Sequence, residues 1–392
     1  MDGFPISTRA GRIKQPEIRR IFNMALAMKD VIHLEIGEPD FPTPPHVVRA
    51  AAEAAECGWT KYAPSMGDPA LRAAVAEKAR RQNSIEADPT TEVIITHGAM
   101  GALAALMLTL VDDGDEVLIP DPGWINYTGH AQLAGATPVY VRIREEDGFG
   151  LDPDAVRAAM TPRTKAVIVN NPSNPTGGVT SRENLVEIAR MCADAGAYLV
   201  SDEVYESILF EGEHFSPASL PEVRDWVITV NSFSKTYSMT GWRVGYVIAR
   251  PHVIRAMTRV QEHMVASVTT VSQRAALAAL TGPQDCVSTM VFEYKRRRDL
   301  VVSGFNRIPG FSCRAPAATF YAFPSAKGIG MTSSDLAMRL LEKTGVALVP
   351  GSAFGAAGEG YLRVSFANSE ANIREALARI ERAVAEIAGS SR

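Results

Sequence analysis

The segment Asn231 to Tyr246, NSFSKTYSMTGWRVGY, sets one lysine among small and hydroxylated side chains, with an arginine eight positions later. A lysine in water is a permanent ammonium, whereas burial disfavours the charged form and leaves an amine able to act as nucleophile or base. The flanks of Lys235 are those of a buried loop. Ser232 and Arg243 bracket it, and Gly241 offers the chain a turn between them.

Other chemically capable residues also stand directly after apolar, β-branched runs. After Glu92–Thr96 (EVIIT) comes HGAMGAL, a glycine turn running into a helix, whose first backbone N–H groups can hold an anion. After Glu116–Pro120 (EVLIP) comes Trp124 in DPGWINY, and after Ala166–Asn170 (AVIVN) comes Asn174 in NPSNPTGG. After Ala197–Ser201 (AYLVS) come Asp202 and Tyr205 in DEVY, and after Val227–Asn231 (VITVN) comes the lysine segment itself. Taken singly, these are a loop, a cap, a core aromatic and a rim residue. Taken in order they converge, because open α/β sheets bind ligands beyond the carboxyl ends of their strands.

The elements that must position them follow from the same pattern. With Pro138–Ile143 and Tyr246–Ala249 the runs number seven, and helical stretches alternate with them from about residue 90. That alternation predicts an α/β fold with a mainly parallel seven-stranded sheet flanked by helices. In SRENLVEIARMCADAG, Ser181 is placed to cap the helix start and Gly196 to end it. The helix EIRRIFNMALAM, the proline-rich GEPDFPTPP and everything after about residue 288 fall outside the alternation. The expected organisation is a large domain over 44–287 and a smaller α+β domain from 1–43 and 288–392.

Composition excludes several classes. Of 392 residues, 46% are hydrophobic and 21% charged, as in an ordinary globular chain. Forty basic against forty-four acidic residues give a net charge of -4, which provides no field to gather nucleic acid or anionic lipid. The run KRRRD (295–299) lies in an amphipathic helical pattern and is expected to be a solvated helix face. Cys57, Cys192, Cys286 and Cys313 form no Cys-x-x-Cys pair and have no histidine cluster, so they read as buried or half-buried thiols in a reducing compartment, with no metal site. MDGFPISTRAGRI shows no signal-peptide pattern, and the longest apolar tract, Gly101–Val111, is too short to span a membrane. A cytoplasmic protein is expected.

The chain resembles the class I/II aminotransferases, fold-type I enzymes that use pyridoxal 5'-phosphate. SFSKTYSMTGWRVG resembles the family's lysine motif, NPSNPTGG and SDEVYESILF the segments before it, and YLRVSFA the C-terminal arginine segment. The likeness runs from LEIGEPDFPTP to the last helix. It implies a Schiff base between Lys235 and the cofactor, with Lys235 also moving the substrate's Cα proton. It implies Asp202 at the pyridine nitrogen, Tyr205 and Asn174 at the phenolic oxygen, and Trp124 stacked on the ring. Ser232, Arg243 and the backbone of Ala99 and Met100 would hold the phosphate. Arg363 would bind the substrate carboxylate and Gly37 would supply a substrate-side backbone contact. Tyr62 would reach the phosphate of a neighbouring subunit, which implies a homodimer with shared active sites. The substrates implied are an amino acid and a 2-oxo acid.

One position departs from the closest pattern. In aspartate-specific members of a similar bacterial subgroup a lysine in the glycine turn pairs with the substrate's side-chain carboxylate, and here Met100 stands in that place. A thioether cannot pair with a carboxylate, so a non-acidic amino donor is expected. The same scaffold also carries α,β-eliminating enzymes such as C–S lyases, and non-catalytic sensors fused to DNA-binding modules. No helix-turn-helix segment precedes LEIGEPDF here, and an aminotransferase is the expected activity.

Overall fold

In the computed structural model of the chain, the described residues are 17–390 together with Ser7, Ala10, Gly11 and Ile13. The remaining positions of the leader reading over Met1–Ile13, and of the N-terminal arm up to residue 16, lie outside the described residues. Among the described residues no helix is long and apolar enough to cross a membrane.

The chain enters through helix α1 (Glu17–Ala27), the short strand β1 (Ile32–His33) and helices α2 (Pro45–Glu56) and α3 (Pro69–Asn83). Strand and helix then alternate: β2 (Val93–Thr96), α4 (Gly98–Leu110), β3 (Glu116–Asp121), α5 (Asn126–Leu133), β4 (Thr137–Arg142), α6 (Pro153–Ala159), β5 (Thr164–Asn170), α7 (Arg182–Ala195), β6 (Tyr198–Asp202), β7 (Val227–Ser232), the one-turn α8 (Phe233–Thr236) and β8 (Gly245–Ile248). Helices α9 (Pro251–Val265), α10 (Thr270–Thr281) and α11 (Asp285–Phe305) lead to β9 (Tyr321–Ala322), α12 (Ser333–Thr344), β10 (Val346–Ala347), β11 (Val349–Pro350), β12 (Leu362–Ser365) and α13 (Glu370–Ser390).

Seven strands form one sheet in the order β2-β8-β7-β6-β5-β3-β4. All neighbours are parallel except β8, which runs antiparallel to both β2 and β7. The carboxyl ends of β2, β3, β5, β6 and β7 therefore share one edge. The seven expected runs are these strands, with ends displaced by one or two residues. Period-two alternation sorts their side chains between two cores, Val93, Ile95 and Leu199 on one face and Ile94, Val200 and Ile228 on the other. Helices cover both faces, so β5 to β7 are buried along almost their whole length. Ser181 caps α7 by accepting from the Asn184 N–H, and Gly196 ends it in the left-handed conformation.

A separate core forms around the short sheets β1-β10 and β11-β12-β9, where Leu34, Phe320, Leu340, Val346, Phe366 and Ile373 pack together. Here two expectations need correcting. The run Lys295–Asp299 is a solvated face only in part: Lys295, Arg296 and Asp299 are exposed, whereas the side chains of Arg297 and Arg298 are largely buried, pairing with Asp40 and with Glu211 and Asp299. Arg297 also lies over the rings of Phe41 and Tyr294, so the stem of α11 is covered by the incoming N-terminal segment. Of the cysteines, all four are free, and Cys57 is exposed rather than half-buried.

Candidate active site

Five of the seven strand ends named from the sequence, those of β2, β3, β5, β6 and β7, open on one cavity of about 520 Å³. Lys235, Asp202, Tyr205, Ala99, Met100, Trp124, Asn174, Ser232, Arg243, Gly37 and Arg363 all line it. The large sheet supplies most of them. Gly37 comes from the segment after β1 and Arg363 from β12, so the cavity sits where the second core meets the sheet edge.

Lys235 projects from α8, directly beyond β7, and its amine donates to the Gly37 carbonyl. Burial lowers its pKa to about 8; Arg363 and Arg243 push the same way, against Glu38 and Asp202. A substantial fraction of the amine is therefore neutral near physiological pH. Asp202 ends β6 and is fully buried, and burial raises its carboxyl to about 6. The Tyr127 hydroxyl donates to it at 2.6 Å and opposes that rise, as does Lys235. The two partners titrate toward each other: an ammonium that releases its proton easily and a carboxylate that holds one.

Arg363 is 3% exposed. One Nη donates to the Glu35 carbonyl, the other to Asn174 Oδ1 at 3.2 Å, and Nε has no hydrogen-bond partner among the described residues. The guanidinium lies over the rings of Tyr321 and Phe354, 4.6 and 4.9 Å from their centroids. A planar cation with an unused edge, framed by aromatic rings, is built to take a carboxylate in two-pronged fashion. The Tyr321 hydroxyl also exchanges a hydrogen bond with Tyr205 at 3.0 Å. It lies 2.6 Å from where a Cβ at position 37 would stand, so only glycine lets the Gly37 strand pass.

At the anion end, α4 begins at Gly98 with no side-chain cap on its first N–H groups. Gly98 has φ of +64°, and a Cβ there would meet the Arg243 guanidinium at 2.8 Å. Ser232 Oγ hydrogen-bonds Ser234 Oγ at 2.9 Å and accepts from the Ser234 N–H, closing the turn that carries Lys235. Uncapped N–H groups, two hydroxyls and a guanidinium on one wall form a cradle suited to a phosphate. Gly241 does not make the turn expected of it: open space surrounds it, and the left-handed residues are Ser238 and Arg243.

Tyr62 is not brought to this cavity; it is 90% exposed on the surface. The sequence reading missed Ser234, Tyr127, Asn170, Tyr321, Glu35 and Glu38, all of which line the cavity. Ser234 stands two residues from Ser232 in the same motif, and Tyr127 one helical turn after Trp124, so spacing could have found both. Tyr321 and Glu35 arrive from the second core, and nothing local marks them. Apart from Lys235, Arg243 and Arg363, no lysine or arginine among the described residues lines the cavity, and Phe22, Ile36, Met100 and Trp124 provide an apolar wall.

Comparison with known proteins agrees with this geometry. The family described as aminotransferase class I and II matches residues 29–380. The aspartate aminotransferase of Pyrococcus abyssi is 42% identical over 97% of this chain and 98% of its own length. Aromatic-amino-acid aminotransferase 2 of Thermococcus litoralis is 40% identical over the same shares of each chain. Among solved structures, the aspartate aminotransferase of Thermus thermophilus with maleate superposes with a TM-score of 0.93 at 41% identity, covering 97% of this chain and all of that one.

Proposed function

The chain belongs to the aminotransferase class I and II family, and from that premise we propose an amino-acid aminotransferase, dependent on pyridoxal 5'-phosphate, whose donors carry neutral side chains. The observation that carries the reading is one cavity holding a depressed lysine, a buried carboxylate, a half-partnered buried arginine and a phosphate cradle. Those groups match the cofactor's aldehyde, ring nitrogen and phosphate, and the substrate's carboxylate.

When bound, the cofactor supplies an aldehyde and an electron-withdrawing ring that spreads negative charge from the substrate's Cα. Lys235 would provide the amine that holds this aldehyde and, once freed by a substrate amine, the base that accepts and returns the Cα proton. A pKa of about 8 suits an amine that must both accept and give a proton near neutral pH. Asp202 holds a proton on the ring nitrogen, and Tyr127 keeps its carboxylate oriented. Tyr205 and Asn174 would hold the phenolic oxygen, and Trp124 would cover the ring. Arg363 would grip the substrate carboxylate beside Gly37. Ser232, Ser234, Arg243 and the N–H groups of Ala99 and Met100 would hold the phosphate.

The exposed Tyr62 and Trp59 support a homodimer in which Tyr62 serves the partner's site. The four free cysteines suit a cytoplasmic location. The division into a large domain over 44–287 and a small one from the two ends is supported by the separate core around the short sheets.

The wall supports the donor class. A second substrate carboxylate would meet Met100, Phe22 and Ile36, with the like charges of Glu35 and Glu38 on the same lining. Burying an unpaired charge there is costly. Steady-state kinetics over a panel of amino donors with a 2-oxo acid acceptor test the reading. The expected result is turnover of aliphatic or aromatic donors, and a clear preference for aspartate would overturn the donor class. Release of ammonia and a 2-oxo acid in place of a new amino acid would point to an eliminating enzyme, and silence over the whole panel to a sensor.

A further inference from the structure

Beneath the site lies a buried charged network that the chemistry above does not use. Glu203 follows Asp202 and is wholly buried; Glu206 lies one turn further and His214 in the loop beyond. Lys78, from α3, pairs with Glu206 and donates to Asn83 Oδ1 at 2.8 Å. Asn83 in turn donates to Glu206 Oε2 at 2.7 Å and to Ser216 Oγ at 2.9 Å. Glu203 accepts from Ser201 Oγ at 2.9 Å and from Ser216 Oγ at 2.5 Å, and faces His214 Nε2 at 2.9 Å.

The ligand atoms of Glu203, Glu206 and His214 lie within 4.8 Å of one another, a spacing a cation could use. The Lys78 ammonium already stands against Glu206, and with His214 protonated the four charges cancel. The cluster is therefore filled by the protein's own cations.

Glu203 adjoins Asp202 in the chain, and the network's hydrogen-bonded link to the phosphate end of the cavity runs through Asn231, the last residue but one of β7. Asn231 donates its amide N–H to Glu206 Oε1 at 2.6 Å, which fixes which way the amide faces. Its Oδ1 then accepts the Ser232 N–H at 2.7 Å. Ser232 is the first residue of the turn that closes through Ser234 and carries Lys235. The backbone N–H of Ser232 is buried, so losing its acceptor would leave an orphaned donor at the base of the phosphate cradle.

We infer that Glu206 and Asn231 are positioning residues for the cofactor's phosphate: the charge-balanced network orients the Asn231 amide, and that amide sets the Ser232–Ser234 hydroxyls. The inference rests on the reading that the phosphate sits in this cradle. It assigns both residues an effect on the phosphate and none on the ring.

The test compares holoenzyme variants by their dissociation constants for pyridoxal 5'-phosphate and for pyridoxal, which lacks the phosphate. Ser232→Ala is the reference for losing a direct phosphate contact. Ile373→Ala, in the distant second core, is the control for general destabilisation. Asn231→Ala is expected to weaken the phosphorylated cofactor by about tenfold and pyridoxal by less than about twofold, with Glu206→Gln moving the same way by a smaller factor. Ile373→Ala is expected to leave the ratio of the two constants unchanged. Equal weakening of both ligands by Asn231→Ala, or wild-type affinity for both, would overturn the inference while a lowered ratio in Ser232→Ala leaves the cradle reading standing. An unchanged ratio in Ser232→Ala would overturn the cradle reading and the inference with it.

Discussion

Replacing Asp202 by asparagine should stabilise the cofactor-free chain while disabling it. The carboxyl is fully buried, and its pKa stands at about 6 against an ordinary 3.8, chiefly because burial penalises the ionised form. That rise corresponds to on the order of 3 kcal/mol by which the folded chain is penalised for keeping the carboxylate ionised. The sign follows from the direction. With the folded pKa raised above the unfolded one, the penalty is absent below about pH 3.8, grows as pH rises and is complete once pH passes about 6. An amide carries no such penalty and can still accept from Tyr127. Urea unfolding of the two cofactor-free proteins should therefore show asparagine ahead by about 1 kcal/mol near about pH 4.5 and by about 3 kcal/mol near about pH 7. Transamination by the variant should fall by about a hundredfold or more, since an amide cannot keep the ring nitrogen protonated. A stability difference that does not grow with pH, or an asparagine variant less stable than wild type at neutral pH, would refute the reasoning.

Three further outcomes follow from the geometry. Arg363→Lys replaces a fork with a point charge, and should raise KM for the amino donor by about tenfold or more with a smaller change in kcat, read by steady-state kinetics. Gly98→Ala places a methyl 2.8 Å from the Arg243 guanidinium at a φ of +64°, and should weaken cofactor binding in an absorbance titration while leaving donor KM in the loaded enzyme near wild type. His214 has a raised pKa even though burial, the largest influence, pulls it down: Glu203 and Glu206 outweigh both burial and Lys78. Its charge thus adds stability that is fully present below about pH 6.5 and is lost as pH rises through the higher folded value, so His214→Gln should lose less stability than wild type on going from about pH 6 to about pH 9 in urea unfolding.

The chain's local patterns gave away whatever stands beside a strand end. Lys235, Asp202, Trp124 and Asn174 follow strands that alternate with helices, and a parallel sheet has only one edge on which such ends can meet. Arg363 and Gly37 were reached through motif resemblance, because no periodicity says that β12 and the segment after β1 fold back over that edge. Tyr321 was missed for the same reason: its contacts to Tyr205, Arg363 and Gly37 are all long-range. The misreading of Arg297 and Arg298 has a related cause. A helical repeat tells which residues share a face, but the cover on that face, here Asp40, Phe41 and Glu211, comes from distant parts of the chain. Nothing in the sequence singles out Glu206 and Asn231, since a buried charge is recognisable only once its partners on α3 are in place.

The pairing of charges around the cavity argues for which ligand groups it accepts. Glu35, Glu38 and Asp202 face Lys235, Arg243 and Arg363, equal in number on the two sides. The acids are already engaged: Glu35 by His33, Glu38 by Thr240 and Asp202 by Tyr127. Among the described residues the arginines' hydrogen-bond partners are neutral, a carbonyl and an amide for Arg363 and the Thr240 carbonyl for Arg243. Neutral acceptors offset the desolvation of a guanidinium only in part, so each arginine gains most from an incoming anion. Two such positions, one on β12 and one beside the N-terminus of α4, suit a ligand pair bearing a carboxylate and a phosphate. Among the described residues lining the cavity no third arginine stands ready for a second substrate carboxylate, which is in keeping with the neutral donor side chains proposed above.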